Sequence, residues 1–320
     1  MRAMVSAGAV HLPEVAPTLP ALLAWNPQPV PVLPALGILA AVLYGWGVWR
    51  MKAAGRDWPW WRTACFMTGS AALVAVTGLA IEGYGYKLFS IWMFQHLTLS
   101  IAIPPLWVLG SPGLLLLRAT SHRGAGRVVL ATALAGLRGR IGRILLHPGV
   151  TIPLFLFSYY GLYLTPLLDT VGSRWPGHIA LELLFLVSGL LFIIPVLSTG
   201  PLPMRQSNLG RFFDIFLEMP LHVFIGVVLM MGSTPMIAVF ADPPAAWGVD
   251  VLADQKLAGS LAWSYGEPAA LIIVTIFAIR WRRDEQRENA RAERFSAAAA
   301  AAAADELRDY NAYLRTLHGR

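Results

Sequence analysis

The 320 residues include a single cysteine, Cys65, which excludes an intrachain disulfide and every Cys-rich metal motif. Charge is scarce too. Only 13% of the residues are charged, about half of the roughly 25% carried by a soluble domain. No P-loop, GxSxG or HExxH motif occurs, and no pair of carboxylates stands in a catalytic setting, so the chain is not expected to be an enzyme. The last apolar stretch has no interior lysine for a retinal Schiff base, since Lys256 lies at its edge. The first thirty residues are broken by prolines and hold no sustained apolar run, so a cleaved signal peptide is not expected.

What the chain does have is apolar sequence, 56% of residues, with a mean hydropathy of +0.57. Spanning a bilayer takes roughly 20 mostly apolar residues. Seven stretches qualify: 32–49, 64–81, 88–109, 150–168, 178–197, 219–240 and 258–279. The expected fold is therefore all-α, a polytopic bundle of seven transmembrane helices. A 1–31 extracytoplasmic segment precedes the 32–279 bundle, and a 280–320 tail follows it. The tail carries mixed charges and eight alanines, Ala297 to Ala304, and alanine is the strongest helix former. The short apolar run Gly113–Leu117 follows Ser111-Pro112 and is expected at the interface rather than across it.

The net charge of +7 comes with no nucleic-acid motif. The cations flank apolar spans, so the lipid bilayer is the expected partner and nucleic acid is not. Their placement also orients the chain. Of the 25 Lys and Arg residues, 21 fall on alternate segments and 4 on the others. The N-terminus is thus expected outside and the C-terminus in the cytoplasm.

Polar residues inside spans mark sites, because in hydrocarbon they need a protein partner. The third span reads WMFQHLTLSIAIPP from Trp92 to Pro105. His96 lies roughly 12 Å below the outer end at 1.5 Å per residue. Met93 shares its helical face, and Gln95 points about 100° away. Pro104 and Pro105 free the carbonyls of Ser100 and Ile101, which predicts a kink, with Ser100, Thr98 or water meeting those carbonyls. His178 opens the fifth span on the same side of the membrane. Met230, Met231 and Met236 end the sixth, Asp254 and Gln255 precede the seventh, and Glu267 lies within it. Imidazole and thioether are ligands that suit Cu(I), although methionine also serves as a packing filler. The candidate metal set is His96, Met93, His178, Met230, Met231 and Met236, with Gln95, Asp254 and Glu267 as polar neighbours. His222 sits near the cytoplasmic end, most of a bilayer away.

The run FSIWMFQHLTLSIAIPPLWVLGSPGLLLLR resembles the signature of CtaG-like cytochrome c oxidase assembly factors, the group associated with caa-type oxidases. The resemblance falls on Gln95, His96, Pro104, Pro105, Gly110 and Pro112. It continues through His147-Pro148, Gly177-His178, Pro220, His222, Asp254-Gln255, Gly259, Trp263 and Gly266-Glu267-Pro268. Two positions depart from the family pattern: Trp92 and Leu184 stand where histidines are usual. The resemblance implies a multi-pass protein of the bacterial plasma membrane. Its implied role is in assembling cytochrome c oxidase, helping copper reach the catalytic subunit. A copper transporter and a metal-free assembly scaffold are the alternative readings. The orientation is checked with reporters: alkaline phosphatase fused after Gly248 should be active and after Ala297 inactive, and the reverse pattern contradicts the charge argument.

Overall fold

A computed structural model describes residues 10–198 and 208–318, with side chains except those of 208–209, 214–215, 217–222, 269 and 316–318. Among the described residues every regular element is helical. They are α1 (Leu19–Leu22), α2 (Val32–Ala53), α3 (Trp60–Gly78), α4 (Ala80–Gly85), α5 (Phe89–Leu97), α6 (Ile103–Leu109), α7 (Pro112–Ala119), α8 (Ala125–Arg138), α9 (Arg140–Leu145), α10 (Pro148–Leu156), α11 (Leu167–Gly172), α12 (Trp175–Leu197), α13 (Asn208–Met231), α14 (Val251–Ser264) and α15 (Gly266–His318). Among the described residues four stretches are long and apolar enough to cross a membrane: Val32–Ala53, Phe89–Ala119, Trp175–Leu197 and Val251–Arg315. Helices also occupy the other three expected spans, in α3, α10 and α13.

The chain divides into two units, Met1–Ile273 and Val274–Arg320. The second is charged helix, with neighbouring turns tied by Arg287 to Asp284 at 3.5 Å and by Arg308 to Asp305. Its alanine run is helical, as composition predicts.

The first unit holds the bundle, and α5 runs through its centre. Phe89, Trp92, Met93 and Leu97 of α5 are fully buried against Tyr159, Phe185, Ile225 and Leu229. The prolines after His96 do not simply end the helix. A π-turn at Thr98–Ala102 leads into α6, which begins with Ile103-Pro104-Pro105. One extra residue in the turn accommodates a backbone short of two N–H donors. The serine and threonine hydroxyls serve a different purpose from the one expected. Ser100 donates to the His96 carbonyl and Thr98 to the Phe94 carbonyl, each 2.7 Å, one to two turns above those the prolines free. A second π-turn, Phe157–Gly161, follows α10, which contains Pro153.

Breaks elsewhere re-aim the chain. The second expected span is interrupted at Leu79, whose backbone is extended. Its neighbour Ala80 donates its N–H to the Ala24 carbonyl at 2.9 Å, so the N-terminal segment supplies the partner the helix gives up. The sixth expected span, 219–240, is shifted toward the N-terminus: its helix runs Asn208–Met231. Helix α13 stops at Met231, and the chain then leaves the helix before Pro235. Ser111 adopts a left-handed φ of 53° and separates α6 from α7.

Small residues let backbones meet, the usual basis of helix packing in lipid. A Cβ on Gly226 would lie 2.7 Å from the Gly259 carbonyl oxygen, which holds α13 against α14. A Cβ on Gly189 would lie 2.8 Å from Ser100 Cα, so α12 approaches the π-turn of the central helix at backbone distance. Gly189→Val should therefore lower stability by about 1–3 kcal/mol through overpacking, read from thermal unfolding in detergent. An unchanged midpoint contradicts this close approach.

Candidate metal centre

The break at Leu79 has a direct chemical result. It turns α4 inward and buries Glu82, 3% exposed. From α12, His178 and Glu182 stand four residues apart and so share a helical face; they are 2% and 1% exposed. One ligand atom from each of Glu82, His178 and Glu182 lies within 4.8 Å of the other two. His178 Nε2 is 3.3 Å from Glu82 Oε1 and 4.0 Å from Glu182 Oε1. Two carboxylates thus meet beside an imidazole, a grouping that lies outside the expected metal set.

The surroundings hold these groups in place. Gln95 Nε2 donates to Glu82 Oε2 and to the Val76 carbonyl, both at 2.8 Å. Gly85 makes room for that amide, because a Cβ there would collide with the Gln95 side chain. The His178 ring is stacked on Tyr86 at 3.8 Å, and Trp92 packs edge-on against it at 4.5 Å. Burial, and then the charges of Glu82 and Glu182, push the Tyr86 phenol above its usual range. A narrow cleft bordered by Gln28, Pro31, Thr77 and Trp175 reaches Glu82 and Glu182, with room for about one water.

Of the residues expected to form one metal set, only His178 belongs to this group. His96 is fully buried in an aromatic box: Nδ1 shares a 2.6 Å hydrogen bond with the Tyr163 hydroxyl, and the ring stacks on Phe185 at 3.7 Å. Met93 is buried in the main core. The Met230 sulfur accepts a hydrogen bond from Ser260 at 3.4 Å. Met231 is 79% exposed and Met236 39% exposed. Glu267 is exposed and accepts from Trp263, at the end of α14, at 2.9 Å. The His222 side chain lies outside the described residues.

Asp254 and Gln255 organise backbone. Helix α5 has Leu88 at its N-cap and no capping side chain of its own. Asp254 serves instead, accepting from the Phe89 N–H at 2.6 Å, the Ser90 N–H at 3.3 Å and the Ser90 hydroxyl. Gln255 accepts from the Met236 N–H at 2.7 Å and donates to the Leu229 and Thr234 carbonyls at 3.3 Å, tying down the chain where α13 ends.

Glu82 and Glu182 lie outside the residues expected at the site, although the sequence holds one signal for the second. His178-x-x-x-Glu182 puts an imidazole and a carboxylate on one face of an apolar helix, where ionisable groups are rare. Glu82 has no comparable local signal, because its burial depends on the break at Leu79.

Comparison with known proteins identifies a family: the cytochrome c oxidase caa3 assembly factors match residues 42–284. Similar curated proteins include uncharacterized proteins of Mycobacterium bovis and Mycobacterium tuberculosis, each 37% identical over 287 residues. One of Mycobacterium leprae is 34% identical over 288 residues. These alignments cover 88% of this chain but only 43% of each relative. No solved structure matches.

The capping role of Asp254 has a measurable consequence. Asp254→Ala should destabilise the protein by about 1–2 kcal/mol, and Asp254→Asn, which keeps an acceptor, by less. Equal midpoints for all three proteins in thermal unfolding contradict it.

Proposed function

The chain belongs to the family of cytochrome c oxidase caa3 assembly factors, and from that premise we propose that it helps copper reach the catalytic subunit of the oxidase. In this reading it crosses the bacterial plasma membrane seven times, with its N-terminus outside. The alternation of basic segments supports that orientation. The same topology puts the end of α4 and the start of α12 near the outer face, where a copper donor would meet the ion.

One observation carries the reading: a buried imidazole and two buried carboxylates converge beneath a narrow cleft. The copper is cargo here. The chain's own groups bind the ion, exclude bulk water and keep it near the membrane depth at which the catalytic subunit is loaded. No catalysis is involved. Because the chain spans 43% of the curated relatives' length, the oxidase partner and the copper role are both part of this proposal.

A metal-free scaffold is favoured by one detail. Trp92, where a ligand histidine is usual in the resembling family, fills space against His178 and Phe185. The deciding measurement is copper content and activity of oxidase purified from cells lacking the protein. Copper delivery predicts a metal-poor oxidase, restored by the wild-type gene. An oxidase fully loaded with copper but reduced in amount supports the scaffold, and an unaffected oxidase contradicts both.

A further inference from the structure

We propose that Glu82, His178 and Glu182 form a single site for a borderline divalent cation, with Cu²⁺ the tightest-binding ion and Zn²⁺ weaker. This deepens the copper reading and rests on it for biological context, while its chemistry stands on geometry alone.

The donor set is specific. Two carboxylate oxygens and one imidazole nitrogen suit divalent first-row metals, and their affinities follow the order that peaks at Cu²⁺. Thioether-rich sites select Cu(I) instead, so this group assigns a different oxidation state from the one expected of the methionines and His96.

Orientation supports the assignment. His178 Nε2 and Glu182 Oε1 are buried atoms with no hydrogen-bond partner among the described residues. At 3.3 Å, His178 Nε2 is close to Glu82 Oε1 but not aligned with it as a hydrogen bond. Buried polar atoms are ordinarily paired. Here they face one another across a gap of the size a shared cation fills.

Charge points the same way. When both carboxylates are ionised they carry a charge of −2, and a buried ion typically costs several kcal/mol when uncompensated. A divalent ion cancels it.

The supporting groups are those a bound ion requires. Gln95 fixes the second oxygen of Glu82, and Tyr86 and Trp92 fix the plane of the imidazole. Such partners orient metal ligands, and losing one typically weakens affinity about 10–100-fold. The cleft beside Glu82 and Glu182 has room for about one water, which matches a small ion better than a bulky chelate.

The test is titration of the purified full chain in detergent with Cu²⁺ and with Zn²⁺, against a competing chelator, together with electron paramagnetic resonance of the Cu²⁺ form. The proposal predicts one ion per chain and coupling to a single nitrogen. Glu182→Gln and His178→Ala should each weaken binding at least 10-fold, and Gln95→Leu by about 10–100-fold. His96→Ala should bind as wild type does. Thermal unfolding shows whether each variant is folded; for any that is not, Glu82→Gln is the substitute. The proposal is overturned if folded wild type binds neither ion, in which case the carboxylates share a proton instead. It also fails if His96→Ala loses as much affinity as Glu182→Gln. Should Glu182→Gln lose binding while oxidase copper in cells stays normal, the site stands and the delivery reading falls.

Discussion

Ionisable side chains removed from water need compensation, and this bundle removes three of them together. Each uncompensated ion costs several kcal/mol in a protein interior, a large part of the 5–15 kcal/mol by which domains are stable. Much of the surrounding structure follows from that demand. The helix breaks at Leu79 so that Glu82 turns inward. Gly85 has no side chain, which lets Gln95 reach the carboxylate. The N-terminal segment supplies a carbonyl for Ala80 and, through Gln28 and Pro31, part of the cleft wall.

Helix α5 is where these requirements meet. Asp254 caps it from another helix, Gln95 holds Glu82, and His96 faces the tyrosines beyond. Gln95 and His96 are adjacent in sequence, so their side chains point about 100° apart. The first serves the carboxylate group and the second an aromatic box, a division of labour that explains two polar residues in so apolar a run. Below them the π-turn absorbs Pro104 and Pro105 while Gly189 brings α12 against it. Positions of the polar groups on α5 and α12 are therefore coupled through backbone contact.

The helical class was legible because apolar runs of span length leave few other solutions. Residues 32–49 and 178–197 are each contained in a long helix, Val32–Ala53 and Trp175–Leu197. The ends were harder to read. Hydropathy carries the sixth span through Gly232-Ser233-Thr234-Pro235, but Pro235 disfavours helix in the residue before it, and the helix stops at Met231. The candidate site was legible only in part. His178 stands out as an imidazole at the mouth of an apolar helix, but its neighbours are carboxylates rather than the methionines the sequence offers. The carboxylates that do meet it depend on a break between α3 and α4 that hydropathy does not register. Asp254 is legible as a charge near a span; its capping of α5 joins residues 165 positions apart and leaves no local trace. Trp92, conspicuous as a departure from a family pattern, proves to be a wall of the His178 pocket.

The central claim is that a divalent ion balances the buried carboxylates through oxygen and nitrogen alone. X-ray absorption at the zinc edge of the Zn²⁺-loaded chain addresses this most directly. The account predicts a first shell of oxygen and nitrogen at about 2.0–2.2 Å, with no sulfur. A sulfur scatterer at about 2.3 Å would place the ion among the methionines or at Cys65 and contradict it.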